Sequence, residues 1–182
     1  MDWIKNTKGS DLTKQEHRLV VEHPAETQGF IDSTREHGGA SMFLRNKRLP
    51  DVGSENMYIV GREPSRKTGK TVDTVYENRG TNNRNLSVKQ FASNFLRLKD
   101  EATFKSGNVK PEAMMGSWIN PKEPEKGIQM DLSVGLKSRK RAEKKMIERN
   151  EDAIFDVKKA DDIYHEDVRK KYTNTPRPPK GD

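Results

Sequence analysis

The sequence predicts an α+β protein: a small split β-α-β core in the order β-α-β-β-α-β, flanked by long irregular segments at both ends. Three observations carry the prediction. Between residues 57 and 157, short apolar runs alternate with two amphipathic stretches. The first amphipathic stretch opens on Ser87, placed to cap a helix. Finally, only 30% of the 182 residues are hydrophobic and 35% are charged, with a mean hydropathy of −1.07. A chain so polar cannot bury a core along its whole length.

Taken in order, the core begins with a strand at 57–60, Met-Tyr-Ile-Val, closed by Gly61. The first helix is expected at 87–101. Ser87 and Gln90 have capping-box spacing, and Val88, Phe91, Ala92, Phe95 and Leu96 fall on one 3.6-residue stripe. A hairpin follows, with strands at 114–119 and 128–132. In the second strand Ile128, Met130 and Leu132 alternate with Gln129 and Asp131, so one face is buried and the other wet. The second helix, 138–150, presents Ala142, Met146 and Ile147 and ends at Asn150, a good left-handed terminator. Ala153 to Val157 reads as a continuous, central strand. This is the order of ferredoxin-like folds, in which right-handed crossovers put both helices on one face.

The domain organisation follows from the same pattern. Residues 1–53 read as an irregular polar segment. They hold only a weak helical hint up to Glu22 and an apolar trio, Met42-Phe43-Leu44. Residues 54–163 form the core domain, with a long basic loop at 62–86. Residues 164–182 form an extended tail that contains Pro176-Arg177-Pro178-Pro179.

The net charge of +7 and pI near 9.5 point to anionic partners. The absence of cysteine excludes disulfides, thiolate metal sites and cysteine nucleophiles. No run approaches the length of a membrane span and no apolar leader opens the chain, so an intracellular protein without a membrane partner is expected.

Two basic clusters are the candidate sites for nucleic acid or other anions. Arg62, Arg66, Lys67 and Lys70 lie in the long loop. Lys137, Arg139, Lys140, Arg141, Lys144 and Lys145 crowd the second helix, with Glu143 and Glu148 opposing them. Such clusters recognise phosphate backbone without reading sequence, and their binding is strongly salt-dependent.

Other motifs fall short of a site. Gly69-Lys70-Thr71 ends like a phosphate-binding loop, but the glycine required five positions earlier is Pro64. Lys126-Gly127 opens like the third strand of an RNA-recognition sheet. The stacking aromatics then fail to appear, leaving Tyr58 as a lone candidate. Phe91, Phe95, Trp118 and Phe155 are expected in the core, and Trp3 stands in a polar terminus as a candidate anchor. His17, His23, His37 and His165 lack metal spacing. Asp131 and Asp156 are the one carboxylate pair that a sheet could bring together around Mg²⁺. No catalytic residue, metal ligand or cofactor is assigned.

Three stretches resemble a known pattern. They are Met115 to Pro121, with Gly116-Ser117-Trp118; Ile128 to Ser133, with Asp131-Leu132-Ser133; and Ile147 to Asp156, with Arg149-Asn150-Glu151-Asp152-Ala153-Ile154-Phe155-Asp156. Together with Tyr58 to Ser65 they are similar to a small domain encoded in many tailed bacteriophages, often near structural genes. The resemblance would cover about 57–163 and transfers no activity; the basic run from Lys137 to Lys145 departs from it. It implies a phage protein in the host cytoplasm or the virion, partnered by other phage structural proteins. The expected function is a non-enzymatic structural or virion-associated interaction protein that touches DNA or RNA backbone through its basic helix and loop. The alternatives are a small Mg-dependent enzyme or toxin-like effector acting on nucleic acid, and a free nucleic-acid-binding regulator.

Overall fold

The computed structural model describes residues 11–80 and 83–172. Trp3 and Pro176 to Pro179 lie outside them. The described residues form five α-helices and one antiparallel sheet of seven strands. In chain order these are α1 (Lys14–Glu22), α2 (Pro24–His37), β1 (Gly39–Phe43), β2 (Tyr58–Val60), β3 (Val75–Glu77), α3 (Val88–Glu101), β4 (Ala113–Trp118), β5 (Ile128–Leu136), α4 (Arg139–Arg149), β6 (Ala153–Asp156), β7 (Asp161–Tyr164) and α5 (His165–Tyr172). The strands lie in the order β1-β4-β5-β2-β6-β7, and β3 pairs with the first residues of β5 beside β2.

Strand β5 organises the sheet. Its alternation puts Ile128, Met130, Leu132 and Val134 on one face, and pairing aligns Met115 with Leu132 and Ala113 and Val60 with Val134. Against this face α1, α2 and α3 bring Leu19, Phe30, Phe91, Phe95 and Leu98. Farther along, α4 and α5 bring Ala142, Met146 and Val168 against Val60, Val134 and Ile154. The helices therefore share one face. On the other, a smaller cluster of Met57, Ile59, Met114 and Val157 packs with Phe43 and Phe155.

Local signals act where the sequence puts them. The Ser87 hydroxyl accepts from the Gln90 amide at 3.1 Å, and the Gln90 side chain accepts from the Ser87 amide at 2.9 Å. Ser138 caps α4, and Asn150 ends it at φ 54°, ψ 39°. The Glu151 and Asn150 amides then bond back to the Met146 and Ile147 carbonyls, which closes the helix end.

The structure corrects four expectations. First, the segment 1–53 is not irregular: its described part holds α1, α2 and edge strand β1. Core positions of α2 are filled by Thr27 and Thr34 as well as Phe30 and Ile31, so the apolar period is hidden. The buried Thr34 hydroxyl meets Ser117 Oγ at 2.7 Å and ties α2 to β4. Second, the boundary at 54 does not bound the core, because Phe30, Met42 and Leu44 share a cluster with α3 and β5. Third, the loop 62–86 contains β3, and Val72 and Leu86 join the core. Fourth, the tail begins with α5; β6, as expected, is an internal strand, flanked by β2 and β7. The strand expected at 128–132 runs on to Leu136, and the sheet is larger than the four strands expected.

Candidate nucleic-acid interface

The backbone changes course where β2 ends. Arg62 takes φ 48°, yet the Glu63 amide still reaches the Leu132 carbonyl at 2.7 Å. This kink sends the Glu63 side chain inward, where it is 1% exposed. A buried carboxylate must be paired, and Glu63 has three partners. Lys110 donates to it at 2.6 Å, and the guanidinium groups of Arg66 and Arg149 close on it from either side. Burial alone would raise its pKa. The Lys110 hydrogen bond and the Arg149 charge outweigh that and hold it at about 2.

Lys145 stands one turn before Arg149 on α4, within reach of this cluster's field. Its pKa is lowered, first by burial and then by the charges of Arg149 and Lys110, against the pull of Glu63. Four cations thus crowd around one acid. Arg141 continues the same flank by helical spacing, at i, i+4 and i+8 with Lys145 and Arg149.

The remaining candidates are dispersed. Arg62 donates to the Arg149 carbonyl at 3.0 Å and lies 3.7 Å from Glu151. Lys67 bonds Asp100 at 2.5 Å. Lys70 is exposed in the turn that Ser65 closes. Arg139 bonds Glu143 at 2.8 Å, and Lys144 lies 3.7 Å from Glu148. Lys140 and Lys144 line a shallow groove against Tyr172 of α5. Lys137 precedes the cap, close enough to Glu55 to lower its pKa slightly, after the larger effect of Arg48. So the structure brings Arg66 of the loop and Lys145 of the helix to one cluster, ties Arg62 to its Arg149, and leaves the others apart. Lys110 joins them without any signal in its own polar stretch.

The quoted motif residues meet at the same strand end. Arg149 donates to the Gly61 carbonyl at 2.7 Å. On the opposite sheet face, Ser133 donates to the Asp131 carboxylate at 2.7 Å. A Cβ on Gly61 would stand 2.7 Å from that carboxylate, and one on Gly116 would stand 2.6 Å from the Ser133 hydroxyl. Both glycines are needed for Asp131 to fit. Burial raises the Asp131 pKa, against the Ser133 hydrogen bond and the Arg62 charge.

Several smaller expectations resolve here. Asp131 and Asp156 do not converge. Asp156 pairs with Tyr58, which pairs with Leu136 on the helix face, whereas Asp131 faces the other way. No cluster of three or more metal-ligating side chains occurs among the described residues. Gly69-Lys70-Thr71 forms a turn bridged by Pro64 and Thr71, and no helix follows it, so the phosphate-loop geometry is absent there. Tyr58 packs under the helices and is not on the bare face. Phe91 and Phe95 are core, but Trp118 and Phe155 are only half-buried, on the face away from the helices. Comparison of the chain with family models, with curated proteins and with solved structures finds no match.

Proposed function

We propose that this chain is a non-enzymatic structural or virion-associated interaction protein of a tailed bacteriophage, and that it contacts nucleic-acid backbone. The contact surface is the flank of α4 that carries Arg141, Lys145 and Arg149, together with Arg66 and Lys110. The crowding of four cations around Glu63 carries the reading. Like charges held together repel, and a phosphate entering beside Lys145 relieves that repulsion. The phage assignment is supported by the motif resemblance alone. Its setting would be the host cytoplasm or the virion, and its protein partners would be other phage structural proteins. The finer topological reading belongs to the same proposal: β6, β2, β5 and β4, with α3 and α4, form a ferredoxin-like split β-α-β unit inside the larger sheet. The neighbouring, antiparallel order of those four strands supports it.

The test is titration against labelled duplex DNA and duplex RNA at several salt concentrations, with Mg²⁺ present and the substrates inspected for cleavage. Phosphate contacts by these five side chains give a slope of about −4.5 in log K against log salt. Salt-sensitive binding without cleavage is the expected result. Absence of binding at low salt would assign the charge to a protein partner, and cleavage would replace the structural reading with an enzyme.

A further inference from the structure

The face of the sheet opposite the helices carries a row of side chains that the basic patch does not use. Pairing aligns Tyr76 of β3 with Gln129 of β5, and Gln129 with Trp118 of β4, which in turn pairs with Gly39 of β1. The neighbours of each residue fix which way it points. Val75, Ile128 and Met130 enter the helix-side core, Ile119 does the same, and Ser117 bonds Thr34 of α2. Tyr76, Gln129 and Trp118 therefore share the other face, and all three are half-buried rather than core. At ordinary strand spacing the two aromatic side chains stand about 10 Å apart with the glutamine between them. Gly39 adds no side chain beyond Trp118.

We propose that this row is a binding site for single-stranded nucleic acid, in which Trp118 and Tyr76 each stack against one base and Gln129 meets a base edge between them. Aromatic faces on an exposed sheet suit every base, because each base has a π-face. The Gln129 amide offers both a donor and an acceptor to a base edge. The charge around the row fits this ligand. The exposed Arg79 guanidinium lies 5.1 Å above the Tyr76 ring, and Lys126, at the turn before β5, is paired with Glu123 at 2.8 Å. Guanidinium groups both stack on bases and pair with phosphate. Asp131 lies one row further along the same face. Its carboxylate is bonded to Ser133 and enclosed by Gly61 and Gly116, so it closes the row at that end. A duplex cannot use such a surface, because its bases are already stacked. The sequence hides the row because its aromatics come from β3 and β4, whereas the motif of an RNA-recognition sheet seeks them on β5 and β2. The site does not rest on the reading of α4.

The experiment uses the full chain with Trp3→Phe, which leaves Trp118 as the one tryptophan of the two in the sequence. Titration with a twelve-nucleotide oligothymidylate is expected to quench its emission saturably. Tyr76→Leu is expected to weaken that binding about tenfold, Tyr76→Phe to restore it, and duplex affinity to stay within twofold in both. No quenching at saturating oligonucleotide would overturn the proposal. So would equal loss of duplex and single-strand binding in Tyr76→Leu. Quenching by a neutral β-linked glucose oligosaccharide, with none by oligothymidylate, would give the face to a sugar instead. A failure of duplex binding alone would overturn the α4 reading and leave this one standing.

Discussion

The two flanks of α4 are equally basic in composition and differ in what surrounds them. Toward α5, Arg139 is bonded to Glu143, Lys144 sits near Glu148, and Glu143 also accepts from the Tyr172 hydroxyl at 2.8 Å. Arg139 and Lys144 there each have an acid of their own helix. Toward residues 62–66, Arg149, Lys110 and Arg66 share Glu63, and Lys145 is drawn by both Glu63 and Glu148. The difference teaches that the count of basic residues does not separate the two flanks; the way those residues are paired does.

That contrast can be broken first at Glu63. Glu63→Gln leaves Arg149 and Lys110 largely buried without their counter-charge, and a loss of about 3–5 kcal/mol is expected in urea denaturation. Glu148→Gln, at an exposed pair, is expected to cost under about 0.5 kcal/mol. The same asymmetry has a pH signature. The folded pKa of Glu63 lies below its usual 4.5, so its stabilisation is complete above that pH and drains away as pH falls toward 2. The amount is on the order of 3 kcal/mol. In acid titration followed by circular dichroism, Glu63→Gln is expected to lose most of that dependence. Next in size is Gly116→Ala, whose new methyl group would press on Ser133 and Asp131; a cost of about 1–3 kcal/mol is expected in thermal unfolding. Glu143→Gln, which weakens the hold of α4 on α5, falls between Gly116→Ala and Glu148→Gln. A loss of about 1 kcal/mol is expected, with faster proteolysis near Tyr172.

The legible parts of the fold are those in which a local rule and the tertiary structure agree. The Ser87–Gln90 box, the alternation along β5 and the Asn150 terminator each act locally, and all three are found where the sequence puts them. α2 was illegible because the buried threonines Thr27 and Thr34 stand in for apolar residues; the Thr34 hydroxyl bonds the Phe30 carbonyl and Ser117. β3 was illegible because three residues carry no usable period, and only pairing with β5 makes them a strand. Among the candidate residues, the two clusters were visible as composition. Their meeting through Glu63 was not, since it depends on a kink at Arg62 and on Lys110, 47 positions away. The aromatic row on the other face was equally hidden, because Tyr76 and Trp118 share it only through a third strand.

The most direct test compares charge reversal on the two flanks. Arg141→Glu with Lys145→Glu is set against Lys140→Glu with Lys144→Glu, and each pair is measured for duplex DNA affinity across a salt series. The two double variants change net charge equally, so a general field effect moves both alike. The account predicts that the Arg141/Lys145 pair flattens the salt slope by about 2 and weakens binding far more than the other pair. Equal loss in both, or greater loss from the Lys140/Lys144 pair, would contradict it.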